Sequence, residues 1–354
     1  MHIRFFLIVI KEIKMKTFNG LLSVLFILII TSAYAREVTK TGTTAAGFLN
    51  IDVGARAVGM GGAYVSMADD ATAMYWNPAG IARFSGPQAN FTHMRWIADI
   101  TFDYVGLTIP LRQFGTIGFN ATFLRTEEME RTTVYNPMGT GEMFGVGSVA
   151  FAVGYAKNLT DRFCIGGNVK VIQEKIYHAT ATGVAFDVGT IYTTRLNGLQ
   201  IGMSITNYGT KMQMSGRDML VQVDIDKSVS GNNANINAYL ATEKYDLPLL
   251  FRVGASMDML QGMADSNLNL SVDALHPNDD TESINAGLEY IYHGMIALRG
   301  GYHSLFARDS EMGLTLGSGV KINLPGNFLV NIDYAYMDFG NLNNVQMFTL
   351  CLEL

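Results

Sequence analysis

The chain has 354 residues, 49% of them hydrophobic and 16% charged, with 37 glycines and 7 prolines. That is too apolar for a disordered chain and too poor in charge for an ordinary soluble enzyme. A formal net charge of −6 excludes the basic footprint on which DNA or RNA binding depends.

Residues 1–35 read as an export signal. Lys14 and Lys16 form a basic front, residues 18–30 are mainly apolar, and Ala33-Tyr34-Ala35 fits a small-x-small cleavage site before Arg36. The residues before Met15 add nothing to that signal, so Met15 is the expected start of translation, which ribosome profiling can test. Removing residues 1–35 takes away Arg4, Lys11, Lys14, Lys16 and Glu12, leaving −6 − 3 = −9 for the mature chain. After residue 35 no apolar run approaches the ~20 residues of a spanning helix. An apolar composition without such helices points to strands that cross a membrane.

Residues 36–90 are expected to form a plug. Their centre, Gly54 to Arg83, is dense in glycine and alanine and is neither a clean helix nor a strand. Small residues let backbone pack closely in a confined space. Asn77-Pro78-Ala79-Gly80 stops any helix begun between Ser66 and Tyr75. Gly59, Gly61 and Gly62 do not make the GxGxxG of a dinucleotide loop, and no buried parallel strand precedes them. Asp69-Asp70 reads as a helix N-terminal charge or a plug-to-wall salt bridge, with an ion site or a functional contact with lumenal arginines as the other reading.

Residues 91–354 show the period-two alternation of barrel strands, expected at 91–97, 103–110, 114–124, 144–156, 163–174, 180–193, 199–206, 250–259, 267–275, 283–292, 295–302, 312–324, 328–336 and 346–354. The third sets Ile117, Phe119, Ala121 and Phe123 against Thr116, Gly118, Asn120 and Thr122. These make an all-β, transmembrane antiparallel β-barrel of about 14 strands, the even number that closes antiparallel. The two longest connections, 125–143 and 207–249, fall on one side, and all connections on the other are short. That parity fits a barrel with short periplasmic turns and long outer loops. Trp96, Tyr104, Phe123, Tyr155, Tyr192, Tyr290, Tyr302, Tyr334 and Tyr336 lie towards strand ends, as girdle residues or as ordinary strand aromatics.

Little in the mature sequence calls for catalysis. His93, His178, His276, His293 and His303 show no metal-binding spacing. A sparse site joining His276 or His303 to Asp279 or Asp309 competes with plain solvated loop residues. No enzyme, metal or cofactor is expected. Cys164 and Cys351 lie far apart within alternating patterns and are expected as unpaired thiols. The loop 207–249 is the distinctive outer surface. Met212, Met214 and Met219 supply adaptable apolar contacts, and Val221, Val223 and Ile225 lie in a VQVDID run that can form a short hairpin open to strand addition.

The pattern Gly54-Ala55-Arg56-Ala57, Gly59-Met60-Gly61-Gly62-Ala63, Ala68-Asp69-Asp70-Ala71 and Asn77-Pro78-Ala79-Gly80 resembles the amino-terminal signature of the PorV/PorQ family of outer-membrane proteins. That family in turn resembles the FadL hydrocarbon transporters, whose lumenal hatch carries an Asn-Pro-Ala turn. The resemblance implies a barrel in the outer membrane, assembled through its amphipathic last strand, although that strand ends in Leu354 where an aromatic is common. Two roles follow from it. One is an accessory protein of the type IX secretion system, with secretion proteins and cargo bearing C-terminal signal domains as partners. The alternative is a FadL-like channel for hydrophobic compounds, where a wall opening would need a kink such as Gly166-Gly167 or Gly300-Gly301 could supply.

Overall fold

The computed structural model describes residues 42–354 apart from 227, 229, 230, 232, 234, 262–264, 308, 309, 311, 327 and 343. The expected signal at 1–35 lies outside the described residues. Fourteen strands form the wall: β1 Gln88–Arg95, β2 Thr101–Pro110, β3 Thr116–Arg125, β4 Val146–Thr160, β5 Phe163–Ile176, β6 Ala179–Thr193, β7 Gln200–Gly209, β8 Leu250–Asp258, β9 Ser266–Pro277, β10 Ser283–Tyr292, β11 Ile296–Leu305, β12 Leu314–Leu324, β13 Phe328–Asp338 and β14 Asn344–Glu353. Each pairs antiparallel with the next, and β14 returns to β1 with Thr349 opposite Thr92, so the sheet closes. Closure leaves no open edge, which a spanning sheet requires because lipid offers backbone groups no partners. The protein is a 14-strand transmembrane antiparallel β-barrel.

The alternation read from the sequence is the alternation of lumen and exterior. On β2, Phe102 and Tyr104 are buried while Val105, Leu107 and Ile109 are exposed. Strand ends differ from the expected ones by a few residues. The largest extension is in β4, where the polar residues 157–160 continue the strand, Asn158 facing Cys164 and Thr160 facing Phe163. Asn158 also donates to the Ala82 carbonyl at 2.9 Å, so a sequence that reads as a turn is held extended.

One end of the barrel carries the short turns and the other the long loops. The loop end has three small ladders: Met129–Glu130 with Met143–Phe144, Met212–Gln213 with Lys244–Tyr245, and Leu220–Val223 with Ile236–Tyr239. In the last, Val221, Gln222 and Val223 of the VQVDID run pair with Ala238, Asn237 and Ile236, and residues 224–226 lie beyond the ladder.

Residues 44–87 lie within the wall. They form short helical turns at Gly47–Asn50, Ala55–Gly59, Ala73–Trp76 and Pro78–Arg83. Lumen-facing glycines of the wall make room for them, and four pairs stand directly opposite across neighbouring strands: Gly118 and Gly154, Gly166 and Gly189, Gly202 and Gly254, Gly287 and Gly301. A Cβ at Gly166 would stand 2.5 Å from the Pro78 carbonyl oxygen, and one at Gly202 2.7 Å from the Ser66 Cα. The contact is reciprocal at Gly61, whose φ is +66° and whose Cβ would stand 2.6 Å from the Tyr302 nitrogen.

Gly61→Val therefore meets both a disfavoured backbone region and a backbone that cannot move. The expected outcome is a sharp loss of folded barrel, read as loss of the fast-migrating form on unheated gels. Gly300→Val, with nothing within 4 Å of an added Cβ, is the control and is expected to fold.

Candidate functional site

The lumenal segment is held by hydrogen bonds at each crossing. Asn77 Nδ2 donates to the Val65 carbonyl at 2.9 Å and to the Thr190 carbonyl of β6 at 3.0 Å. Its Oδ1 accepts from the Ala79 amide at 3.2 Å, capping the turn that Pro78 begins. Asp273 of β9 accepts from the Tyr64 and Val65 amides, both at 2.8 Å. The Tyr104 hydroxyl donates to the Ala71 carbonyl at 3.1 Å, and Thr349 Oγ1 accepts from the Ala55 amide at 2.9 Å. Backbone that forms neither helix nor ladder is satisfied by the wall, as burial demands.

Of the motif residues, Gly59 lies against Gly317 of β12, Gly61 against Tyr302 of β11, Gly62 beside Asn285 and Asp52, and Gly80 against the Ala68 carbonyl. Pro78 and Ala79 are buried in the final helical turn. Asp69 and Asp70 do not reach the wall themselves. Asp69 binds Arg56 of the same segment at 2.5 Å, and Asp70 accepts from the Tyr64 hydroxyl at 2.8 Å and from both the amide and hydroxyl of Thr72. Burial pushes the Asp70 carboxyl above its ordinary range, opposed by the nearby Arg56 charge.

The link to the wall runs through Arg56. Its guanidinium forks onto Glu289 of β10, Nε to Oε1 at 2.8 Å and Nη2 to Oε2 at 2.9 Å. Arg299 of β11 binds the same Glu289 at 2.8 Å and Asp333 of β13 at 2.6 Å. The Glu289 side chain is fully buried, and Asn269 adds a hydrogen bond at 3.1 Å. No motif marks this network in the sequence. Its signal was available: Glu289, Arg299 and Asp333 each occupy an inward position of an alternating strand, where charge needs a partner.

Towards the loop end an apolar cluster shares the lumen with the Lys170–Asp187 pair at 2.9 Å and with buried Arg252. Phe48, Leu49, Ile51 and Val53 pack in one cluster with Met94, Phe102, Tyr104, Met347 and Phe339. A cavity of about 20 Å³ remains beside Phe48, Leu49, Met74, Tyr75, Tyr104 and Lys170. Towards the turn end a polar cavity of about 140 Å³ is lined by Arg56, Asp69, Arg83, Gln200, Asp258 and Gln261.

The loop residues singled out from the sequence divide. Val223 and Ile225 are exposed and Val221, Met214 and Met219 half-buried, but Met212 is buried in the core. The ladder with Lys244–Tyr245 turns Met212 inward into the cluster that holds Leu247, so it offers no surface to a partner. Tyr104 is likewise fully buried in the lumen and is no girdle residue, whereas Tyr155, Tyr192 and Tyr302 lie on the exterior. His276 meets Glu282 at 3.1 Å, while Asp279 accepts from Thr44 at 2.6 Å. His303 faces Asp52 of the lumenal segment, and Asp309 lies outside the described residues. Both cysteines are free and buried.

The profile of an uncharacterised protein family (UPF0164) matches residues 29–184, the lumenal segment and the wall into β6. No curated protein matches the sequence. Among solved structures, the chain is similar to the CymD monoaromatic hydrocarbon channel, with a TM-score of 0.54, 11% identity, and coverage of 85% of this chain and 96% of that one. It is also similar to the Ralstonia pickettii toluene transporter TbuX, with a TM-score of 0.51, 11% identity, and coverage of 85% and 97%. A third is the Pseudomonas putida toluene transporter TodX, with a TM-score of 0.50, 12% identity, and coverage of 85% and 97%. At this identity the shared property is the fold, a transmembrane β-barrel.

Removing one partner of a buried charge network costs far more than its Coulomb energy at a surface, about 3–5 kcal/mol, because the remaining charges are stranded. Glu289→Ala strands Arg56 and Arg299, and is expected to lower the unfolding free energy by that amount, read as a lower midpoint in denaturant. Arg131→Ala, which breaks an exposed pair with Glu142, is expected to leave the midpoint unchanged.

Proposed function

We propose that this protein is an outer-membrane channel for the uptake of hydrophobic compounds, in which the lumenal segment is a hatch. The observation that carries this reading is the division of the closed lumen: an apolar cluster built on Phe48, Leu49, Phe102 and Tyr104 under the long loops, and a charged floor at the short-turn end. An apolar compound arriving from outside finds matching surface first and a polar exit second. The likeness to barrels described as toluene and monoaromatic hydrocarbon transporters supports the same reading.

In this reading residues 1–35 are the export signal, 36–90 the hatch and 91–354 the barrel. Opening requires Phe48 and Leu49 to leave the cluster. Fully exposing a side chain of that kind costs about 1.5–3 kcal/mol, so a ligand that replaces their contacts can drive the change. Radiolabelled toluene uptake by cells with and without the gene tests the channel; equal uptake across a panel of apolar compounds removes the reading.

A second reading keeps the type IX secretion role, with secretion proteins and cargo as partners. Its support is the ladders at the loop end, whose tips expose Val134, Tyr135 and Met138 by more than 90% and Ile225 by 76%. Quantitative proteomics of a deletion strain separates the two. Proteins with a shared C-terminal signal domain build up in the periplasm only under the secretion reading.

The hatch itself makes a prediction. Asn77→Ala with Pro78→Ala removes the bonds to Val65 and Thr190 and the turn that follows. The double variant is expected to raise liposome swelling by small solutes and sensitivity to small antibiotics several-fold, with normal barrel assembly. Wild-type values in both assays argue against the hatch.

A further inference from the structure

At the loop end of β10 and β11, one residue of β10 opposes two of β11: the register steps from Ile284 with Leu305 to Ala286 with Tyr302, leaving Asn285 across from His303 and Ser304. Ser304 is held there at a φ of +55°, a region a non-glycine residue occupies only when its surroundings impose it. The restraint is visible: the Ser304 amide donates to Asn285 Oδ1 at 2.8 Å. The His303 ring lies between two oxygens, with Nδ1 at 2.8 Å from Ser304 Oγ and Nε2 at 3.5 Å from Asp52 Oδ2 of the lumenal segment.

A carboxylate facing Nε2 favours a proton on that nitrogen, which leaves the Nδ1 lone pair for the serine hydroxyl. The imidazole and carboxylate are shielded, with side-chain exposures of 13% and 12%, while Ser304 is half-buried. Asn285 is 1% exposed, and its Nδ2 is a buried donor with no partner among the described residues. Buried amide nitrogens are rarely left unpaired. Its Oδ1 accepts from the Ser304 amide, which ties this residue to the serine. Asp52, Asn285 and His303 converge on Gly62, where a Cβ would stand 2.9 Å from Asn285 Nδ2 and 3.0 Å from Asp52 Oδ2.

We propose that Ser304, His303 and Asp52, with Asn285, form an acyl-transfer site that hydrolyses carboxylic esters at the outer mouth of the barrel. Ser304 Oγ bonds to the ester carbon as its proton passes to His303 Nδ1, and the carbonyl electron pair moves onto oxygen opposite Asn285 Nδ2. Collapse breaks the bond to the alcohol, which leaves with the proton from His303. Water then attacks the acyl-serine, gives its proton to His303, and releases the acid as Ser304 recovers its hydrogen. Ser304 and His303 are the catalytic residues, and Asp52 positions the ring. Phe306, two residues on and 84% exposed, favours an ester with an apolar arm. This activity is independent of the channel reading.

The test uses the full-length barrel in detergent, an alkyl fluorophosphonate and p-nitrophenyl butyrate, with unheated gel migration confirming the fold of each variant. The expected result is an adduct located by mass spectrometry on Ser304 and ester turnover that Ser304→Gly abolishes, glycine accepting the backbone angle without strain. His303→Gln is expected to slow labelling on the order of 100-fold. Asp52→Asn is expected to slow it less, with Asp52→Glu restoring the rate. No adduct on Ser304 of the folded wild-type protein, or a His303→Gln variant labelled as fast as wild type, overturns the proposal.

Discussion

The architecture depends on the close approach of backbone to backbone inside the barrel. A 14-strand wall encloses space that a single chain can fill only if that chain comes nearer to the strands than side chains normally permit. Glycines on the lumenal face, four pairs of them directly opposed, remove the Cβ atoms in the way. The glycines and alanines of residues 54–83 do the same from the inside. Neither set has a packing reason without the other, and together they let carbonyls such as those of Met60, Val65 and Pro78 sit directly on the wall.

That approach leaves irregular backbone in a dry space, where each unpaired amide or carbonyl costs about as much as a lost hydrogen bond. The wall answers with side chains chosen for reach. Asp273 serves two consecutive amides, Thr349 one, and Asn158 and Asn168 accept the role of donors to carbonyls of the segment. The segment answers with Asn77, which bridges its own turn and β6. Charge is handled in the same way: Arg56 is placed where Glu289 and Asp69 share it, and Arg299 carries the remaining balance to Asp333.

The two ends of the lumen therefore differ in what holds them. The apolar half is held by contacts that another apolar molecule can replace one for one. The charged half is held by directional bonds among fixed groups, which hydrocarbon cannot replace and water can.

Much of this was legible in the sequence. Period two fixes which residues face lipid, the even strand count follows from antiparallel closure, and loop lengths sort the two ends, because these are local consequences of the pleat. The Gly54 to Arg83 stretch announced close packing for the same reason: small residues have no other use at that density. What only the tertiary structure decided is which groups meet. Glu289 with Arg56, Asn77 with Thr190, and Ser304 with Asn285 are joined by closure of the sheet and by bulges that shift register by one residue. Met212 turned inward because a short ladder aimed it there, with no local mark in the sequence, whereas the outward alternation of Val105, Leu107 and Ile109 already put Tyr104 on the lumenal face. Face and period are properties of a strand, whereas partners are properties of the closed barrel and of the chain threaded through it.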